Sequence, residues 1–327
     1  MEIILVKNLQ KNYRVYQREA GVWNSIASLI NRRYNLIKAV EKVSFEIGEG
    51  ELVGFIGPNG AGKTTTLKCL AGLLYPTGGE IDILGFTPFE REKEFLKQIA
   101  FVMGQKNQLW WDLPPMETFL LNKEIYELNE AEFKNNLHDL VDLLDASDFI
   151  NVPSRKLSLG QRMRCELIAA LLHRPKILFL DEPTIGLDVI MQERIQDFIR
   201  EYNRHFKSTI LLTSHYMGDV EKLCRRVIII EKGRILYDGL LGEIVKKFAD
   251  YKLLSVTFSQ PVDTQKVSKI GQIRNLDFPQ ATLMVPRESS NVAAAELLQN
   301  FPIADLNIEE PPIEEVIRQI FSTEKQG

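Results

Sequence analysis

Cysteine is scarce in this chain: Cys69, Cys165 and Cys224 are the only three in 327 residues, an odd number with no C-x-x-C spacing. That argues against a disulfide framework and fits a reducing compartment. Long hydrophobic runs are missing as well. No stretch approaches the roughly 18 apolar residues that a membrane-spanning helix needs. The longest, such as 177–180 and 227–230, are strand-length and bounded by charge. If the protein acts at a membrane, a partner has to supply the span. Residues 1–9 lack a basic region leading into an apolar stretch, so no signal peptide is expected there. Positive charge is not in surplus either: the formal net charge is −4, which speaks against nucleic-acid binding by bulk electrostatics. Internal repeats, low-complexity segments and heptad runs are also lacking. What remains is the composition of an ordinary soluble protein, 45% hydrophobic and 26% charged, in a chain long enough for two domains.

Short runs rich in Val, Ile, Leu and Phe alternate with longer helical patterns, which predicts an α/β protein with a mostly parallel sheet. The segments 52–56, 177–180 and 209–213 read as strands buried on both faces. Each ends on a polar residue of interest, and open α/β sheets bind their ligands at such strand ends. The segments 227–230 and 234–237, joined through Glu231, Lys232 and Gly233, read as an antiparallel hairpin. Between about 117 and 148 the pattern turns helical and acidic, which predicts a helical subdomain inserted at about 106–170. After Tyr251 the texture changes again, to strand (253–259), strand (280–286), helix (291–301), then a last strand and helix, with prolines throughout. The expected organisation is therefore a main domain over 1–250 and a small α/β domain over 251–327.

Gly57, Asn59, Gly60, Ala61, Gly62, Lys63 and Thr64 lie in an unbroken G-x-x-x-x-G-K-S/T pattern between a predicted strand and a predicted helix at 65–74. Glycines let successive backbone N–H groups turn inward and cradle phosphate oxygens, helped by the N-terminus of the following helix. Lys63 is expected at the β- and γ-phosphates, the Thr64 hydroxyl on Mg²⁺, and Thr65 within the same turn. The strand at 177–180 runs into Asp181 and Glu182. Two acids at a strand end are ordinary by themselves, but paired with a phosphate loop they acquire roles. Asp181 is expected to hold Mg²⁺ and Glu182 to orient or deprotonate the attacking water, because phosphoryl transfer needs positioning more than covalent help.

Leu157, Ser158, Leu159, Gly160 and Gln161 resemble the LSGGQ signature of ABC ATPases, with Leu159 departing from the usual glycine. The other motifs follow in that family's order. Gln105 resembles the Q-loop glutamine, Ile185 to Asp188 the D-loop, and His215 the switch histidine. Tyr13 stands where the family carries its adenine-stacking aromatic, although Tyr16 and Tyr34 remain open alternatives. The resemblance spans about 2–242. It implies a P-loop NTPase of the ABC cassette type that binds and hydrolyses ATP with Mg²⁺. Lys63, Glu182 and His215 would be catalytic, and Thr64, Gln105 and Asp181 would surround the metal. It also implies that Ser158 to Gln161 cap the γ-phosphate held by a second chain, so that two nucleotides are sandwiched in a head-to-tail dimer with Asp188 at the same interface. By itself, a Ser-Gly pair at a helix N-terminus is an anion site.

A single cassette without coiled coils or a second cassette points to a transporter subunit rather than to the repair, chromosome and translation branches, the soluble ATPases of ribosomes and nucleic acid. The expected partners are a transmembrane permease and a second copy or paralogous ATPase subunit, with no nucleic acid, at the cytoplasmic face of the membrane. The stretch from Gly104 to Pro114 resembles exporter ATPases that serve separately encoded six-span permeases, among them drug, sodium and polysaccharide exporters. The tail has too few strands for the regulatory barrel common in importer ATPases, so export is preferred over import. Within that stretch Trp110, Trp111, Leu113 and Pro114 read either as core or as a groove for a permease helix. The C-terminal domain carries no catalytic or metal motif and is expected to support or regulate the dimer. An insert at about 14–38 carries Val22, Ile26, Leu29 and Ile30 at helical spacing, Trp23 beside them, and five basic residues against one acid. It reads as an amphipathic basic helix that either packs on its own cassette or faces a membrane surface or permease.

Overall fold

Segments 52–56, 99–103, 177–181, 209–214 and 226–231 have β-rich, apolar sequences that suit strands covered on both faces, and they lie side by side in one parallel array. The computed structural model describes residues 2–16, 34–104, 108–214 and 216–323. It divides the chain into two compact units, Met1–Gly239 and Leu240–Gly327.

The first unit runs β1 (Glu2–Tyr16), β2 (Tyr34–Gly48), β3 (Leu52–Ile56), α1 (Lys63–Leu70), β4 (Gly78–Ile83), β5 (Ile99–Met103), α2 (Pro115–Ile125), α3 (Glu130–Leu143), α4 (Leu159–Leu171), β6 (Ile177–Asp181), α5 (Val189–Phe206), β7 (Thr209–Ser214), α6 (Met217–Leu223), β8 (Arg226–Glu231) and β9 (Arg234–Leu240). Six strands form a sheet in the order β5-β6-β7-β3-β8-β9. Lys232 and Gly233, both at positive φ, make the tight turn that reverses β8 into β9. Strands β2, β1 and β4 form a separate antiparallel sheet. Ile4, Leu9, Val43 and Ile47 from that sheet bury against Leu67 and Leu70 of α1 and Phe55, Phe179 and Leu211 of the parallel sheet. This core fixes the strand ends that carry the site. Helix α1 stops at Leu70, short of the predicted 74, because the chain turns at Gly72 with φ +69.

No strand interrupts the described residues between 108 and 176, where α2, α3 and α4 pack as a helical layer. Asn129 and Glu132 close a capping box that starts α3. Asn122 of α2 and Asn136 of α3 donate to the carbonyls of Ala169 and Leu172 at the end of α4 (2.9 and 2.8 Å), tying the three helices together. Next to this joint, His173 stacks flat on Tyr126, with ring centroids 3.7 Å apart, and its Nε2 lies 3.0 Å from the Ile99 carbonyl. Burial pushes its pKa down to about 4. Unfolded, the imidazole takes a proton near pH 6.5, and the folded chain resists it. The stabilisation is therefore full above 6.5 and drains away as pH falls towards 4, by about 3 kcal/mol in all. His173→Phe keeps the stack and is expected to flatten this acid limb in unfolding titrations run at successive pH values. An unchanged acid limb would show that another group sets it.

Strands β1 and β2 continue into both flanks of the expected insert: Tyr13 pairs with Ile37, Arg14 with Leu36, and Tyr16 with Tyr34. Positions 14–16 and 34–38, the flanks of that insert, are thus paired strand, and Val15, Leu36 and Ile37 on it are exposed. The helical pattern at 21–33 falls outside the described residues.

The second unit contains α7 (Leu241–Phe248), β10 (Tyr251–Phe258), β11 (Gln272–Asp277), β12 (Gln280–Pro286), α8 (Ser290–Asn300), β13 (Ile303–Glu309) and α9 (Ile313–Thr323). Its sheet has the order β11-β12-β10-β13 with every neighbouring pair antiparallel. With a single helical turn at Thr264–Val267, this is a split β-α-β arrangement. Leu254, Val256 and Phe258 bury against Leu283, Val285 and Leu297. Strand β11 has no counterpart in the sequence reading. Its only apolar residues, Ile273 and Leu276, break the two-residue period, and a register shift between Ile273 and Asn275 keeps both on the inner face. The boundary by contacts lies at Gly239, earlier than the change in texture at Tyr251, because α7 packs against α9 of the second unit.

Candidate nucleotide-binding site

The loop from Gly57 to Gly62 joins the end of β3 to the start of α1. Gly62 sits at φ +108 with the Ala39 carbonyl where a side chain would stand, so only glycine can enter the helix there. Ala61 is buried, and its N–H closes the turn onto the Pro58 carbonyl at 3.1 Å. Asn59 and Gly60 lie at the exposed crest, while Thr65 is half-buried on the first turn of α1. Lys63, 5% exposed, donates to the carbonyls of Gly57 (2.6 Å) and Pro58 (3.2 Å). Burial pulls its ammonium below the usual lysine range, and the carboxylates of Glu182 and Asp181 pull the other way. One cation and the first turn of a helix therefore face the mouth of the loop, an arrangement made for phosphate.

The end of β6 meets this loop. Asp181 is buried, and its Oδ1 accepts from the hydroxyls of Thr64 at 3.0 Å and Thr213 at 2.7 Å. Thr64 and Asp181 together offer a hydroxyl and a carboxylate, the hard oxygen donors that magnesium takes alongside nucleotide phosphates. The donor set fits the metal. Glu182, the next residue, has φ +55, a left-handed conformation that costs a non-glycine residue about 1 kcal/mol. Two contacts hold it there. Its N–H donates to Thr213 at both the carbonyl and Oγ1, each 3.1 Å. Gly104 presses on its carbonyl so closely that a Cβ would collide, and the Gly104 N–H donates to the Asp181 carbonyl at 2.9 Å.

The sequence reading missed Thr213 and Gly104. Thr213 lies opposite Asp181 in the parallel register of β6 and β7, a relation that no local spacing reveals. It also missed Asp219, which is fully buried and accepts from Thr184 (2.5 Å), Gln196 (2.6 Å) and Ser214 (2.9 Å). That carboxylate ties the turn after Glu182 to the residue before His215. His215 and Gln105 themselves lie outside the described residues.

Ser158 caps α4. Its Oγ accepts from the Gln161 N–H at 3.2 Å and the Gln161 side chain accepts from the Ser158 N–H at 2.9 Å. The hydroxyl proton takes no part in this cap, and the amides of Leu159 and Gly160 have no partner within the helix. Leu159, the departure from glycine, is exposed beside Gly186, and the Met191 side chain lies directly on Gly160. Asp188 caps α5 by accepting from the Met191 N–H at 2.9 Å. The turn that starts α4 and the turn that starts α5 are thus in contact with each other. Tyr13 sits opposite Ile37, two residues from the Ala39 that touches Gly62 and Gly233. Tyr16 and Tyr34 pair with each other three residues further out, about 10 Å along the hairpin.

A phosphate loop at the end of a central parallel strand, with an acid from the next strand but one at the first turn of the helix that follows the loop, defines a P-loop nucleoside triphosphatase. Residues 40–185 match the family model for ABC transporters, and residues 250–309 that for the C-terminal domain of EvrA-like ABC transporters. The chain is 37% identical over 209 residues to the ABC transporter ATP-binding protein NatA of Bacillus subtilis (strain 168), covering 64% of this chain and 85% of that protein. It is 32% identical to the bacitracin transport ATP-binding protein BcrA of Bacillus licheniformis, covering 68% and 71%. It is 34% identical to the Nod factor export ATP-binding protein I of Burkholderia pseudomallei (strain 1710b), covering 71% and 76%. Among solved structures, it resembles the dimeric ATP-binding cassette MJ0796 in a post-hydrolysis state with ADP and phosphate (TM-score 0.60, 26% identity, 73% and 98% covered). The chain belongs to the ABC transporter ATP-binding proteins: it is the ATP-hydrolysing subunit of such a transporter. No helix among its described residues is long and apolar enough to cross a membrane.

Proposed function

We propose that this subunit drives export through a separate permease by closing two copies around two ATP molecules. The observation that carries the reading is the contact between Thr64 and Asp181, which brings the phosphate loop and the acidic strand end to one point. Lys63 would bind the β- and γ-phosphates, with Gly57, Asn59, Gly60, Ala61, Gly62 and Thr65 lining their cradle. Thr64, Asp181 and Gln105 would surround Mg²⁺, which supplies charge neutralisation on those phosphates. Glu182 would hold the attacking water, His215 would face the γ-phosphate, and Tyr13, which pairs closer to Ala39 than Tyr16 and Tyr34 do, would stack on adenine. Ser158, Leu159, Gly160 and Gln161 would act on the nucleotide of the second copy, with Asp188 at the same interface. A dimeric cassette among the structural relatives supports that assembly. Export is favoured by the bacitracin-transport and Nod-factor-export relatives. The chain would sit at the cytoplasmic face of the membrane, with its C-terminal unit supporting or regulating the dimer.

The permease would contact the stretch after Gln105. Trp110 and Trp111 are 56% and 50% exposed, so they are not core, and Leu113, Leu120, Leu121 and Ile125 add apolar surface in the same segment and along α2. Exposed aromatic bulk of this kind marks an interaction site. Trp111 is engaged by Arg162, which leaves Trp110 as the cleaner probe. Trp110→Ala is expected to lower transport, or capture of the permease, by roughly tenfold with hydrolysis by the isolated subunit unchanged. Intact transport and permease capture in that variant would move the contact elsewhere.

A further inference from the structure

We infer that Glu166 is a positioning residue, fastening the chain just after Gln105 to the helix that begins at Ser158. Glu166 lies in the middle of α4, 4% exposed, among Met163, Cys165, Leu167 and Ile168. A carboxylate there is costly unless it is hydrogen-bonded. Its Oε1 accepts two successive backbone N–H groups, Gln108 at 2.7 Å and Leu109 at 3.1 Å. Its Oε2 is buried with no hydrogen-bond partner. Burial raises the carboxyl above its ordinary range even though the two N–H groups work against the rise. An apolar side chain would pack at this position at lower cost, but it would leave both amides without an acceptor.

Glu166 does not grip the segment alone. One turn earlier on the same face of α4, the Arg162 guanidinium stacks 4.6 Å from the centre of the Trp111 ring. From the turn that leads into Ser158, the Arg155 N–H donates to the Trp111 carbonyl at 2.9 Å. The Ser154 N–H and hydroxyl donate to the Leu113 carbonyl at 3.0 and 2.9 Å. Residues 108–113 are therefore bound to α4 and to its approach, and move with Ser158.

The opposite end of the connection is equally fixed. Gly104 bonds to the Asp181 carbonyl and leaves no room for a Cβ before the Glu182 carbonyl. From Gly104 to Gln108 is four residues, a reach of at most about 14 Å. A displacement beside Glu182 can reach α4 along this connection only when its far end is anchored. Glu166 supplies that anchor. The inference rests on the proposed role of Ser158 at the second copy's nucleotide, and its test keeps the two apart.

The test compares Glu166→Met, which has the same length but no acceptor, with Glu166→Gln, which keeps one, in the full chain. Hydrogen exchange reads the amides of 108 and 109, and steady-state hydrolysis and nucleotide titration read the site. Glu166→Met is expected to lose protection at those amides and about 10- to 100-fold in kcat, with ATP affinity kept within about twofold. Glu166→Gln is expected to restore both. A folded Glu166→Met chain with protected amides, or with unprotected amides and an unchanged kcat, overturns the proposal. So does a Glu166→Gln chain as impaired as Glu166→Met. If Glu166→Met does not fold, Arg162→Met replaces it, read at amides 110–113 and by the same kcat, and a silent outcome there overturns the clamp. Ser158→Ala is run in parallel. Normal hydrolysis in Ser158→Ala with a slow Glu166→Met chain rejects the role of Ser158 and retains the clamp.

Discussion

Replacing Glu182 with glutamine is expected to slow ATP turnover by about 10²- to 10⁴-fold while leaving ATP binding close to normal. Glutamine has the same size, and the contacts described above that seat the backbone at φ +55 run through main-chain atoms. They are the N–H bonds to Thr213 and the close seat of Gly104. The substitution therefore removes proton acceptance and negative charge at a position whose geometry persists. Binding rests on the loop and on Lys63, whose contacts with the Gly57 and Pro58 carbonyls it leaves in place. A phosphate-release assay beside a nucleotide titration separates the two quantities. Near-normal hydrolysis would take the water-orienting role away from Glu182.

Lys63→Ala is expected to fail at the earlier step. The Lys63 ammonium sits in the loop on the carbonyls of Gly57 and Pro58, within the field of Asp181 and Glu182. Its removal leaves those carbonyls without their donor and the nucleotide phosphates without their nearest charge. Truncating one member of a buried charge pair costs about 2–5 kcal/mol, so the dissociation constant for ATP should rise on the order of 10²-fold or more. Calorimetric titration of the full chain measures it directly. Unchanged affinity would mean that the loop backbone alone holds the phosphates.

The parts of this molecule legible in its sequence are those whose residues are covalent neighbours. The phosphate loop, the capped helix at Ser158 and the acids at the end of β6 each fall within a few consecutive positions. The alternation of apolar runs with helical patterns was enough for the parallel sheet. Relations across the sheet were not legible. Thr213 meets Asp181 only because β6 and β7 pair in that register. Gly104 matters only because β5 ends beside Glu182, and Asp219 reads as one more polar residue in a short helix until Thr184, Gln196 and Ser214 converge on it. Glu166 hides in the same way, as one more polar residue in a helix that also carries Gln161, Arg162 and Arg164. The strand state at the flanks of the insert was not legible, because residues 14–16 and 34–38 lack strict alternation and gain it from pairing with each other. Strand β11 escaped for a related reason, since its two apolar residues reach the same face only through an irregular register.

The central claim is that a working site needs the phosphate loop of one chain and the signature turn of another. Light scattering of the Glu182→Gln chain during titration with Mg²⁺ and ATP tests it most directly, with bound nucleotide counted in the same samples. The account predicts that ATP doubles the mass, with two nucleotides held per two chains, and that adding Ser158→Arg abolishes the doubling while each monomer still binds ATP. A chain that binds ATP tightly and stays monomeric at every concentration, or a dimer indifferent to Ser158→Arg, would contradict it.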